Sequence, residues 1–93
     1  MAEDEVTRRR IVVHGGVQGV FFRDSTRDEA ERTGVAGWVT NRGDGAVEAV
    51  FEGEPQSVER MVAFAREGPT QADVRDVQVS DEEPEGLSGF SVR

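Results

Sequence analysis

Apolar and polar positions alternate between Val6 and Val13, with Ile11 and Val13 on one face and Arg8, Arg10 and Val12 on the other. A period of two predicts a half-buried strand. A glycine-rich turn follows, and then the period lengthens: Phe22, Thr26, Ala30 and Thr33 recur at helical spacing, with Gly34 as the stop. Asp28 and Arg32 stand four apart on this helix and are expected to pair. Val35 to Thr40 reads as a second strand, and Asn41-Arg42-Gly43-Asp44-Gly45 as a hairpin turn. The third strand has the cleanest alternation, Val47, Ala49 and Phe51 inward against Glu48, Val50 and Glu52 outward. Pro55 suits the first turn of a second helix, in which Val58, Met61, Val62 and Ala65 form the apolar stripe before Gly68-Pro69 ends it. Val74 to Val79 is a fourth strand and Ser88 to Val92 a short fifth one.

The order is strand, helix, strand, strand, helix, strand, with a short extra strand at the C-terminus. That is an α+β arrangement, the split β-α-β-β-α-β of ferredoxin-like domains. Two helices then cover one face of a mostly antiparallel sheet, and the other face is expected to meet water. There Arg8 and Arg10 would oppose Glu48 and Glu52 if the first and third strands pair, as exposed ion pairs contributing about 0.2–1 kcal/mol each. Asp81-Glu82-Glu83-Pro84-Glu85-Gly86 reads as a solvated acidic connector.

Ninety-three residues make one domain with a modest core, expected over residues 6–93 behind a flexible acidic tail at 1–5. No apolar run approaches the roughly 18 residues of a membrane span, and Met1-Ala2-Glu3-Asp4-Glu5 lacks the apolar region of a secretory signal. Without cysteine, disulfides and thiolate zinc sites are excluded and a cytoplasmic protein is expected; a lone histidine, His14, argues against a histidine metal site. Nineteen acids face eleven bases, every base is arginine, and the formal charge is −8. The missing lysine excludes a Walker-type phosphate loop, and the acidity argues against nucleic-acid binding. Two readings of the acidity stand: a codon-composition bias with a solubility benefit, or adaptation to high salt.

Candidate chemistry concentrates in Gly15-Gly16-Val17-Gln18-Gly19-Val20-Phe21-Phe22-Arg23. Closely spaced glycines let a turn direct several N–H groups into one concavity, and the helix that follows adds its free N–H groups and positive dipole end. Arg23 adds a planar fork matched to phosphate oxygens. From residue type alone, Arg23 could equally be a surface arginine paired with Asp24 or Asp28, and Asn41 a plain turn residue.

GGVQGVFFR resembles the signature of the acylphosphatase family, small enzymes that hydrolyse the carboxyl–phosphate bond. A second family motif follows in Gly37-Trp38-Val39-Thr40-Asn41-Arg42-Gly43-Asp44-Gly45-Ala46-Val47 and Gly53, and the resemblance runs from about Val6 to Arg93. Thr40 departs from it, standing where the family usually has a longer or basic residue.

The resemblance implies that Arg23 binds the phosphoryl group, that N–H groups from Gly16, Val17, Gln18, Gly19 and Val20 complete a cradle, and that Asn41 orients the attacking water. It implies no cofactor and no phosphoenzyme, and a small acyl phosphate as substrate, such as acetyl phosphate, carbamoyl phosphate or a phosphoglycerate acyl phosphate. A monomer is the default for this size and charge. Gln18 is expected to hold the loop, His14 and Trp38 to pack, and Phe21 and Phe22 to be core or pocket wall. Acylphosphatase-like segments also occur inside larger maturation enzymes; this chain, ending soon after its last strand, is expected to be freestanding. An RNA-recognition domain shares the element order but displays aromatics on its open face, where this chain has Arg8, Arg10, Val12, Glu48, Val50 and Glu52. A catalytically idle anion-sensing or interaction domain of the same fold is the remaining alternative.

Overall fold

The computed structural model describes residues 5–93; residues 1–4 of the acidic tail lie outside the described residues, and Glu5 is exposed. The elements are β1 (Thr7–Gly16), α1 (Phe22–Thr33), β2 (Ala36–Asn41), β3 (Val47–Gly53), α2 (Pro55–Glu67), β4 (Asp73–Glu82) and β5 (Phe90–Val92). They form one five-stranded sheet in the order β4-β1-β3-β2-β5. Every pairing is antiparallel except β2 with β5, which is parallel.

Both helices pack on one face of this sheet and are built as their periodicities predict. Helix α1 turns Phe22, Thr26 and Ala30 inward and ends at Gly34, whose φ of 76° is left-handed. Helix α2 starts at Pro55 and buries Val58, Met61, Val62 and Ala65. These meet Ile11, Val13, Val39, Val47, Ala49 and Phe51 from the strands in a single core. Arg32 pairs with Glu29 one turn back instead of with Asp28, which lies against Arg27.

Strand lengths differ from the alternation because the hydrogen-bonded neighbour sets them. β1 continues past Val13 to Gly16 by pairing with β4, whose own start moves back to Asp73. The register shifts between His14 and Gly15, and a Cβ on Gly15 would lie 2.1 Å from the Asp73 carbonyl oxygen. Gly15 therefore serves close strand approach. At the other end β4 runs on to Glu82, taking Asp81 and Glu82 out of the expected connector, while β5 begins only at Phe90.

The second face of the sheet, expected to meet water, does so at Gln78 and Ser80 on β4 but is closed around Arg8, Val50 and Glu52. Arg8 and Glu52 are 4% and 3% exposed, and Val50, between Arg10 and Trp38 in register, is fully buried. Arg8 donates to Glu52 at 2.8 Å and to Glu82 at 2.8 Å; Arg10 donates to Glu82 at 2.6 Å and also pairs with Glu48. Glu52 further accepts the backbone N–H groups of Glu85, Gly86 and Leu87, at 2.8, 3.1 and 3.0 Å. The connector is thus strapped across this face by a buried carboxylate. Burial alone would push Glu52 up, but the Glu85 N–H, the Arg8 guanidinium and the Leu87 and Gly86 N–H groups outweigh it and hold the carboxyl below its usual range. Hydrogen bonds from Arg10 and then Arg8 likewise hold Glu82 down.

Candidate active site

Between β1 and α1 the chain is anchored twice in the core, at fully buried Val17 and at partly buried Val20. The backbone turns through Gly19, at φ 76°, between the anchors, and again through Phe21, at φ 62°, just after them. A left-handed conformation suits glycine but costs a bulky residue on the order of 1–2 kcal/mol. Phe21, expected as core or pocket wall, is 74% exposed at the lip of a cavity, whereas Phe22 is buried. The core accommodates one of the two rings, and the left-handed turn at Phe21 opens helix α1 behind it.

That helix has no side-chain N-cap, and its first backbone bond runs from Ser25 N–H to the Phe21 carbonyl. The N–H groups of Phe22, Arg23 and Asp24 are therefore the orphan donors of a helix start. Among the described residues, the N–H groups of Gln18, Gly19 and Val20 also have no hydrogen-bond acceptor. Gln18 turns its side chain away from them: Nε2 donates to the carbonyls of Arg42, at 2.8 Å, and Ala46, at 3.0 Å. One amide thereby ties the glycine turn to the hairpin after β2. Asp44 holds the hairpin from the other side, accepting Ala46 N–H at 3.1 Å and pairing with Arg42 at 2.8 Å. The Ala46 N–H and Arg42 lower its carboxyl.

Asn41 is the last residue of β2, and the tied hairpin brings it opposite Arg23 in the first turn of α1. The two face a cavity of about 290 Å³ lined also by Val17, Gly19, Phe21, Phe22 and Asp24. Arg23 Nη1 donates to the main-chain oxygen of Arg93 at 2.9 Å, which orients the guanidinium and leaves its other donors free. Of the expected site residues, Arg23, Asn41, Val17 and Gly19 line the cavity. Gly16 pairs with Asp73 in the sheet, and Gln18 and Val20 send their side chains to the hairpin and the core while their own N–H groups stay unpaired.

Arg27 and Arg42 do not line the cavity: Arg27 lies 3.9 Å from Asp24 and 3.5 Å from Asp28, and Arg42 is taken by Asp44. Phe21 lines the cavity as the expected pocket wall, whereas Asp24 was missed as a cavity residue. Its place beside Arg23 in the helix's first turn is the signal that could have found it. Arg93 has no such signal, since only the parallel β2–β5 pairing brings it near. Trp38 packs on the opposite face, its ring 5.3 Å from the Arg10 guanidinium and 4.5 Å from that of Arg93. Among the described residues no group of three histidine or acidic side chains is arranged to hold a metal ion.

One guanidinium, a set of unpaired backbone donors and one neutral amide around a small cavity suit a phosphoryl group and a water beside it. Residues 9–92 match the family profile described as acylphosphatase. An acylphosphatase of Haloarcula marismortui is 54% identical over 87 residues, spanning 94% of this chain and 96% of its own. Another, of Rubrobacter xylanophilus, is 54% identical over 90 residues, 96% of this chain and 82% of its own. The solved acylphosphatase of Coxiella burnetii superposes with a TM-score of 0.92 at 42% identity, over 98% of this chain and 96% of that one. Identity of this order, sustained over nearly whole chains on a shared backbone, means that the chain belongs to the acylphosphatase family.

Proposed function

We propose that the protein hydrolyses the carboxyl–phosphate bond of small acyl phosphates, with Arg23 clamping the phosphoryl group and Asn41 positioning the water. The convergence of Arg23 and Asn41 on one cavity, beside the unpaired N–H groups of the turn, carries this reading. Water oxygen attacks phosphorus in line, the bond from phosphorus to the acyl oxygen breaks, and the carboxylate leaves with its electron pair. Carboxylates are stable anions at neutral pH, so the leaving group needs no general acid. The water's proton passes to a phosphate oxygen, its nearest basic neighbour, because the Asn41 amide is too weak a base to take it. Charge spreads over three equatorial oxygens during transfer, where the Arg23 guanidinium and the N–H groups of Gly19 and its neighbours meet it. Nothing in this sequence of steps calls for a metal ion or a covalent phosphoenzyme.

The same reading treats residues 6–93 as one working unit, monomeric and cytoplasmic. The absence of cysteine supports the compartment, and no helix of the described residues is long and apolar enough to cross a membrane. The charge of −8 and the Arg–Glu lattice on the second sheet face disfavour nucleic acid as a partner.

The test is hydrolysis of benzoyl phosphate without added metal, alongside Arg23→Ala and Asn41→Ala. Losing the one clamping arginine should cost on the order of 10³-fold or more in kcat/KM. A wild type that binds phosphate through Arg23 yet turns over nothing would be the idle anion sensor instead.

A further inference from the structure

We infer that the site selects acyl phosphates whose acyl part carries no charge, and that Asp24 enforces this choice; the inference rests on the acyl phosphate reading above. Among the described residues the cavity is lined by one cation, Arg23, and one anion, the carboxylate of Asp24. Arg27 does not cancel that carboxylate. It stands 3.9 Å from Asp24 but closer, at 3.5 Å, to Asp28, so it is shared between two carboxylates and does not neutralise Asp24 outright. On the hairpin side Arg42 is neutralised by Asp44 at 2.8 Å.

Once the phosphoryl group has taken the free donors of Arg23 and the turn, no other cation among the described residues lines the cavity to meet a second anionic group. The apolar surface offered to the acyl part is the exposed ring of Phe21, since Val17 and Phe22 are buried beneath it. An aliphatic, carbamoyl or aromatic acyl group fits such a surface. An acyl group bearing a carboxylate or a second phosphate is repelled by Asp24 and finds no partner. The selection works through repulsion of the wrong substrate as much as attraction of the right one.

The expected size follows from Coulomb's law. Two like charges roughly 7 Å apart, with an effective dielectric constant of about 40 for a half-solvated rim, repel enough to change a rate constant about five- to tenfold.

The test compares kcat/KM for benzoyl phosphate and 4-carboxybenzoyl phosphate, a pair differing by one remote charge, in wild type, Asp24→Asn and Asp24→Ser. The phosphoryl group is common to both substrates, so its own repulsion by Asp24 cancels in the ratio. Wild type should prefer the uncharged substrate by about tenfold, and both variants should narrow that preference about fivefold. If both substrates are turned over and the ratio stays within twofold of wild type in both variants, Asp24 does not set the choice, though the function stands. If wild type turns over neither substrate, the acyl phosphate reading falls and the inference falls with it.

Discussion

Replacing Glu52 by glutamine removes one charge from a buried ion pair while keeping the side chain's shape. One carboxylate oxygen of Glu52 takes Arg8 and the Glu85 N–H, and the other takes the N–H groups of Gly86 and Leu87. A glutamine amide has only one acceptor oxygen. In either orientation its NH2 group faces two donors, so two of the four bonds are lost and replaced by repulsion. Breaking a buried ion pair from one side costs about 3–5 kcal/mol. Arg8 keeps Glu82 at 2.8 Å, which places the expected loss near the lower limit, about 3 kcal/mol. For a domain of this size that is a large share of a total stability of about 5–14 kcal/mol, and a fall in Tm of roughly 12–24 °C.

Urea unfolding at pH 7 can be followed by the fluorescence of Trp38, the only tryptophan, whose ring contacts the guanidinium groups of Arg10 and Arg93. Because the folded Glu52 carboxyl lies below its unfolded value, its stabilisation is complete above an unfolded pKa of about 4.3 and is lost as pH falls through the folded one. The gap between wild type and Glu52→Gln should therefore close in acid. A loss under 1 kcal/mol at pH 7, or a gap unchanged down to pH 3, would show that the pair behaves like an ordinary surface contact.

Three further outcomes are expected. Gln18→Glu places a carboxylate against the carbonyls of Arg42 and Ala46; kcat should fall about 100-fold through misplacement of the turn relative to Asn41, and Gln18→Lys, which keeps a donor, should recover part of it in steady-state assays. Phe21→Gly should stabilise the fold by about 1 kcal/mol in urea by relieving a left-handed φ of 62°, while raising KM for benzoyl phosphate. Activity on an anionic substrate should rise from low to moderate salt, because a protein of charge −8 repels it across a Debye length of about 10 Å at 0.1 M; a monotonic fall would mean that attraction to Arg23 dominates.

The helices were the most legible part of the fold because their limits are set by local chemistry. Gly34 stops α1 by its own backbone freedom, Pro55 opens α2, and the apolar stripe of α2 is complete in the sequence. Strand ends were less legible because a ladder extends as far as its neighbour offers bonds. His14, Gly15 and Gly16 have no strand pattern of their own, and Asp73 and Asp76 across from them supply it. The second sheet face misled for a different reason. Arginine and glutamate at alternate positions look solvated in one strand, yet Arg8, Glu52 and Glu82 come from three strands and bury one another.

The candidate site was legible as a gathering of its two motifs, whose Arg23 and Asn41 line one cavity. It was not legible where the use depends on direction. Gln18 holds the turn as expected, but that it does so by sending its side chain to the carbonyls of the hairpin was not readable from its place in the motif. The same holds for the paired phenylalanines, of which the core takes Phe22 and leaves Phe21 at the cavity lip. For so small a domain, direction is the chief resource. A departing carboxylate needs no acid, and a water held in line needs no strong base. On the proposed mechanism what remains is to hold backbone donors, one guanidinium and one amide around one cavity. The two carbonyl bonds of Gln18, the Asp44 hold on the hairpin and the Arg93 hold on Arg23 link the three segments, far apart in sequence, that carry them. Loosening any one of them should therefore lower kcat before it lowers stability, whereas loosening Glu52 should do the reverse.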